Sequence, residues 1–162
     1  MEYNLRIHSI IDESIVDGPG MRMVVFTQGC PHHCPGCHNP ETHDFKGGHF
    51  MEVSSVFSRY KEDPLLRGIT FSGGEPFCQA EALAILGQMI KSIGGSIITY
   101  TGYQYEELLH MAEEDHHIKD LLDITDWLID GPYVESLRSL ELDFRGSSNQ
   151  RIIELHPFAG KA

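Results

Sequence analysis

Cys30, Cys34 and Cys37 fall within eight residues of one another, in the run G-C-P-H-H-C-P-G-C-H-N-P. Three thiols so close in sequence do not disperse through a core. They call for a loop wrapped around whatever they hold. The surrounding stretch from Gln28 to Gly48 is rich in Pro and Gly and shows little hydrophobic periodicity, so it reads as one long loop. Loops of that length in compact domains are either functional or disordered. The rest of the chain is therefore expected to fold into something that presents this loop.

A chain of 162 residues is the size of one domain, with enough buried apolar surface to need no staples. A single domain over residues 1–162 is expected, without internal repeat or linker. The formal charge of −12 argues against a nucleic-acid partner, because such binding relies on Lys and Arg neutralising phosphates. No apolar run approaches the roughly 20 residues that cross a bilayer, so no membrane partner is expected. Glu2, Arg6 and His8 occupy the place where a signal peptide would put its apolar segment. The expected location is the cytoplasm, where thiols persist as thiols or metal ligands.

Strand and helix signals alternate along the chain. Extended segments are predicted over 4–12 and 21–27, separated by the turn formers Asp17-Gly18-Pro19-Gly20. A short helix is predicted over 51–60, and a brief strand at 69–71 running into Ser72-Gly73-Gly74-Glu75-Pro76. Leu83, Leu86, Met89, Ile90 and Ile93 recur at helical spacing until Gly94-Gly95. A strand over 96–101, a helix from about 104 to 122 and strands over 127–129 and 151–155 complete the pattern. Alternation of this kind predicts an α/β fold with a mainly parallel sheet and right-handed crossovers. Such sheets place ligands beyond the carboxyl ends of their strands, where the loops after Thr27, Phe71, Tyr100 and Ile129 gather.

The cysteine spacing is C-x3-C-x2-C. Thiolates are the usual ligands of iron–sulfur clusters, and three of them leave one iron of a [4Fe–4S] cluster without a protein ligand. Such an open iron suits chelation by the amino and carboxylate groups of S-adenosylmethionine. Zinc also takes Cys and His, and His32, His33, His38 or Cys78 would complete a tetrahedral site. Structural zinc sites favour paired C-x2-C arms, of which only one is present here. In F-S-G-G-E-P, where a strand ends and a helix begins, adjacent glycines allow close backbone approach to a ligand. Taken alone, this segment is an ordinary strand-to-helix turn. Cys78 reads as a small, partly buried residue at a helix start.

C-x3-C-x2-C followed about 40 residues later by Gly-Gly-Glu resembles the radical S-adenosylmethionine superfamily. Gly36 departs from the aromatic residue common before the last cysteine, but a small residue there fits one subfamily. His38 and Asn39 fit the C-H-N pattern of glycyl-radical activating enzymes, and Asp17-Gly18-Pro19-Gly20 with Arg22 is similar to their D-G-P-G-x-R segment. The tail from Asp130 to Ile152, above all Arg145 to Gln150, and Thr101-Gly102-Tyr103 resemble the activating proteins of anaerobic ribonucleoside-triphosphate reductases. Each piece alone is a turn, a strand exit or a polar loop; their order carries the resemblance.

The resemblance implies an open, partial (β/α) barrel of the radical S-adenosylmethionine type. It implies that Cys30, Cys34 and Cys37 hold a [4Fe–4S] cluster and that no catalytic side chain exists beyond these ligands. S-adenosylmethionine is expected against Gly36, Cys37, His38, Ser72, Gly73, Gly74 and Glu75. A Val at Gly74 is expected to clash with the methionine moiety and leave the cluster assembled. Reduced flavodoxin or ferredoxin would supply an electron, and the resulting 5′-deoxyadenosyl radical would take an α-hydrogen from a glycine of the large reductase subunit. Asp17, Gly18, Arg22, Asp130, Arg145 and Asn149 are the implied contacts to that partner. The alternatives are a radical enzyme acting on a small molecule, such as a deazapurine synthase, and a zinc-binding module without catalysis.

Overall fold

The computed structural model describes residues 3–37 and 39–157. Its centre is a seven-stranded sheet made of β1 (Asn4–Ser14), β2 (Arg22–Thr27), β3 (His49–Glu52), β4 (Gly68–Gly73), β5 (Ser96–Tyr100), β6 (Trp127–Asp130) and β7 (Arg151–Glu154). Their spatial order is β3-β1-β2-β4-β5-β6-β7. The four central strands β2, β4, β5 and β6 are parallel, while β1, β3 and β7 join antiparallel at the flanks. The fold is thus mixed α/β with a parallel centre, and parallel pairing is confined to that centre. The physical reason is local. β1 returns into β2 through the Asp17–Gly20 turn, and antiparallel neighbours can be joined without a crossover helix.

Four helices follow the strands: α1 (Val53–Lys61), α2 (Ala80–Ser92), α3 (Tyr105–Met111) and α4 (His116–Ile124). Their buried faces form one apolar cluster with alternate strand residues, among them Leu5, Ile7, Met23, Val25, Ile69, Phe71, Ile97 and Leu128. The intervening residues Val24, Ile98 and Ile129 are also buried but belong to the opposite face. Burial on both faces explains why these strands read as nearly continuous apolar runs.

Two elements differ from the sequence expectation. The helix predicted over 104–122 is two helices, because Asp115 accepts from the backbone N–H of His117 (3.0 Å) and starts α4 afresh. Short acidic side chains offer the backbone this alternative to continuing a helix. β3 starts directly after the predicted cysteine loop and takes up the first two residues of the helix predicted over 51–60; a four-residue edge strand is too short to show a period.

On the face opposite the helices, Arg22 is fully buried at the amino end of β2. Its Nε donates to Thr70 Oγ1 (2.9 Å), Nη1 to Ser96 Oγ (2.8 Å) and Pro19 O (3.2 Å), and Nη2 to Ile69 O (2.9 Å) and Ser96 O (2.8 Å). Thr70 in turn donates to Asp17 O (2.9 Å). The Asp17–Gly20 turn is thereby fastened across the amino ends of β4 and β5. Burial lowers the Arg22 pKa to about 10, opposed by the phenols of Tyr60 and Tyr100 and by Asp126, so the guanidinium remains charged at neutral pH. Replacing Arg22 by Met strands several buried carbonyl oxygens, each costing about 1–3 kcal/mol when left unpaired. Arg22→Met is expected to lose at least about 3 kcal/mol of stability, as measured by denaturant unfolding against the wild type.

Candidate active site

The cysteine loop leaves β2 at Thr27 and is closed at its base by backbone pairing. Gly29 N donates to Thr42 O (2.7 Å) and Cys30 N to His43 O (3.1 Å), while the Gln28 side-chain amide donates to Glu41 O (3.0 Å) and Asp44 O (2.7 Å). The loop also grips its neighbour after β4. Gly74 N donates to Thr27 O (2.9 Å) and Glu75 N to Gly29 O (2.8 Å), which continues the parallel pairing of β2 with β4 past the sheet.

Glu75 has no exposed surface. Its Oε1 accepts from His32 Nε2 (2.5 Å), Gly102 N (2.8 Å) and Thr101 Oγ1 (3.0 Å), and its Oε2 from Phe77 N (3.1 Å) and Thr101 Oγ1 (2.9 Å). One carboxylate therefore joins the loops after β2, β4 and β5. The His32 ring lies edge-on to Tyr103 with centroids 4.5 Å apart. It also covers Gly102 so closely that a Cβ there would enter the imidazole.

Above this junction is a cavity of about 470 Å³. Cys30, Cys34 and Cys37 line it together with Ser72, Gly73 and Gly74. Thr101 and Gly102 after β5, and Gly131 after β6, form the adjoining wall. Tyr100 also lines it, its hydroxyl donating to Phe144 O (2.7 Å). The loops after β2, β4, β5 and β6 thus meet at the carboxyl ends of the parallel strands. A larger hollow of about 640 Å³ beside Asp12, Ser54 and Glu62 is lined by no cysteine and by none of these loops.

Backbone donors point at two of the three sulfurs. Burial pushes the Cys30 thiol up, while the backbone N–H groups of His32 and His33 bond its sulfur and pull the other way. His33 reaches this position in the left-handed region, at φ 50°. Asn39 N donates to Cys37 Sγ at 3.4 Å. Backbone donors aimed at sulfur are what a thiolate-bound cluster uses to stabilise its charge, and metal binding removes the thiol proton. The donor set fits a [4Fe–4S] cluster held on three sides.

The other sequence-derived residues separate into two groups. Asp17 and Arg145 line the cavity, and Asp17 accepts from Ser14 Oγ (2.6 Å). Gly36 is exposed beside the Glu135 side chain, and His38 lies outside the described residues. Gly18 is buried against Ile98 and Arg22. Asp130 is also buried, accepting from Arg151 Nε (3.0 Å) and Nη2 (2.5 Å) and from Tyr105 N (2.7 Å). Asn149 is exposed and donates to Pro132 O (2.8 Å). Arg22, Gly18 and Asp130 thus face the protein's own interior.

Three readings need correction. Glu75 does not reach the cavity, because both carboxylate oxygens are held by protein donors. Cys78 is exposed on the tight turn Pro76–Gln79 that leads into α2, not partly buried. The Cβ direction at Gly74 is filled by the carbonyl oxygens of Gly29 and Thr27, not by ligand space. The sequence marked His32 as a possible metal ligand and Thr101 as part of a family-like segment, and gave neither the role it has here, as a partner of Glu75; no spacing rule links a loop histidine to a carboxylate 43 residues away.

Two outcomes follow. Serine at Cys30, Cys34 or Cys37 should each abolish the brown cluster chromophore after anaerobic reconstitution, whereas Cys78→Ser should retain it. Gly74→Val should lower iron and sulfide content as well as S-adenosylmethionine affinity, because the new side chain presses on the backbone next to Cys30; metal analysis of the reconstituted variant checks this.

Comparison with known proteins agrees with the geometry. A family model described as "4Fe-4S single cluster domain" matches residues 16–153. The anaerobic ribonucleoside-triphosphate reductase-activating protein of Salmonella typhimurium is 32% identical over 93% of this chain and 99% of its own length. Its Escherichia coli K12 counterpart is 31% identical over the same shares. The pyruvate formate-lyase-activating enzyme of Clostridium pasteurianum is 42% identical over 64% of this chain and 48% of its own.

Proposed function

The chain belongs to the 4Fe-4S single-cluster domain family and to the family of anaerobic ribonucleoside-triphosphate reductase-activating proteins, and from that premise we propose that it is a radical S-adenosylmethionine enzyme installing a glycyl radical on the large subunit of such a reductase. The observation that carries this reading is the meeting of Cys30, Cys34 and Cys37 with Ser72–Gly74 around one cavity, with backbone donors on two of the sulfurs. When bound, the cluster supplies the electron that splits S-adenosylmethionine and yields the 5′-deoxyadenosyl radical that takes the partner's glycine hydrogen.

The chain's own residues bind and orient. Cys30, Cys34 and Cys37 offer one thiolate fewer than the cluster has irons, leaving one position for the amino and carboxylate groups of S-adenosylmethionine. Ser72, Gly73 and Gly74 bring backbone close to the methionine moiety, with Gly36, Cys37 and, by resemblance, His38 nearby. Glu75 keeps this wall in register from behind. No side chain is assigned a general-acid or general-base role.

The partner enters where Asp17 and Arg145 line the cavity, and exposed Asn149 lies on the same tail. An open partial barrel formed by residues 1–162 as a single domain suits this entry: β3 and β7 end the sheet on opposite sides. Reduced flavodoxin or ferredoxin is the proposed electron donor. Neither nucleic acid nor membrane is a proposed partner, in keeping with the charge of −12 and with the lack, among the described residues, of a helix long and apolar enough to cross a bilayer. The cytoplasm is the proposed location.

The test mixes anaerobically reduced, cluster-loaded protein with S-adenosylmethionine and the large reductase subunit. Electron paramagnetic resonance should show a glycyl doublet whose splitting collapses when the partner's glycines carry deuterium at the α-carbon. Rapid 5′-deoxyadenosine formation with a small metabolite, and no doublet with the reductase, would replace this reading with the small-molecule one.

A further inference from the structure

The helices behind the sheet bring together a second set of metal-ligating side chains, remote in sequence from the cysteine loop. α2 leads back into β5 and α4 into β6, two parallel neighbours in the sheet, so the helices run in the same direction and their first turns lie side by side. They also approach closely: a Cβ at Gly87 of α2 would run into the Ile124 side chain of α4. That approach sets Glu81, in the first turn of α2, against His117, in the first turn of α4, with Oε2 3.2 Å from Nε2.

His117 has neighbours of the same chemistry. His116 and Asp120 are four residues apart and so share a helix face, and Asp115 fixes this first turn by accepting from His117 N. The ligand atoms of His116, His117 and Asp120 all lie within 4.8 Å of one another. The two imidazoles are tilted together with centroids 4.1 Å apart. Lys119, which sits between the ligands in sequence, donates instead to Asp123 (2.7 Å). Two imidazoles and the Asp120 carboxylate thus converge, Glu81 reaches His117, and Glu81, His117, Asp120 and Asp123 line a hollow of about 490 Å³.

We propose that His116, His117 and Asp120 of α4, with Glu81 of α2, form a binding site for a divalent transition-metal ion of the zinc class. Imidazole nitrogen selects zinc-like ions over magnesium and calcium, which take all-oxygen shells. Zinc bonds to His and carboxylate are about 2.0–2.2 Å long, which places tetrahedral ligand atoms about 3.4 Å apart. The ligand atoms of the three α4 residues, already within 4.8 Å of one another, need to close by little more than an ångström to reach it. The fourth, from α2, makes the ion a cross-link between two helices packed on the sheet. This site is independent of the radical chemistry and stands whether or not the glycyl-radical reading holds.

The experiment uses the cluster-loaded protein, because empty cysteine thiols would themselves bind zinc. Anaerobic equilibrium dialysis against micromolar zinc, with zinc and iron counted in the same samples, should give one zinc per chain while iron content stays unchanged. His117→Ala and Asp120→Asn should each weaken zinc binding at least tenfold, Glu81→Gln less so, and bound zinc should raise the melting temperature of the wild type but not of His117→Ala. Zinc uptake matched by iron loss, equal uptake by wild type and variants, or no uptake at micromolar zinc would each overturn the proposal. Since all these side chains are at the surface, the variants are expected to fold, which the unchanged melting temperature of the zinc-free samples verifies.

Discussion

The Glu75 carboxylate sits with no exposure at the meeting point of three loops, and the loops after β2 and β5 are both bonded to it. Burying an ion costs several kcal/mol even after relaxation, and that cost is met only when donors surround it with good geometry. Here two backbone N–H groups, one hydroxyl and one imidazole do so. Charge-assisted bonds of this kind are stronger than neutral ones. The consequence is a cysteine loop whose first arm, through His32, is held against the strand ends by the same group that holds the glycine loop and the Thr101 turn. A site assembled from four loops acquires the rigidity that placing a cluster beside a second ligand requires.

A second buried charge stands at the other end of the same strands. Arg22 lies where β2, β4 and β5 begin, and its donors reach the Asp17–Gly20 turn as well as the strand ends. The turn is thereby drawn across the floor of the face on which the cavity opens, and Asp17 emerges at its wall. Arg22 and Glu75 serve the same end from opposite sides: one shapes the floor, the other fixes the loops above it. Neither contacts the cavity, yet both set its form.

The packing around Gly74 shows why glycine loops need structure to be understood. Two adjacent glycines after a strand suggest space for a ligand, and Gly73 does line the cavity. At Gly74, however, the missing side chain makes room for the backbone of the cysteine loop, with Glu75 N bonded to Gly29 O. The close approach is between two parts of the protein. It packs the glycine loop directly on the backbone that leads to Cys30, which neither motif alone expresses.

The sequence by itself determined which groups are available for chemistry: three cysteines at C-x3-C-x2-C spacing, a glycine loop at a strand end, and alternating elements that imply a parallel centre. These are local properties, written in spacing and period, and a linear reading reaches them. It also placed six of the seven strands and the long amphipathic α2, because each carries its own apolar pattern. Only the tertiary structure decided which polar residues act from within. Arg22, Asp130 and Glu75 look alike in sequence to surface charges, and nothing local distinguishes a carboxylate that faces a ligand from one enclosed by Thr101, Gly102 and His32. Those partners lie 26, 27 and 43 residues away. A buried charge is defined by the donors that the fold brings to it, and that convergence exists only after the strands have paired.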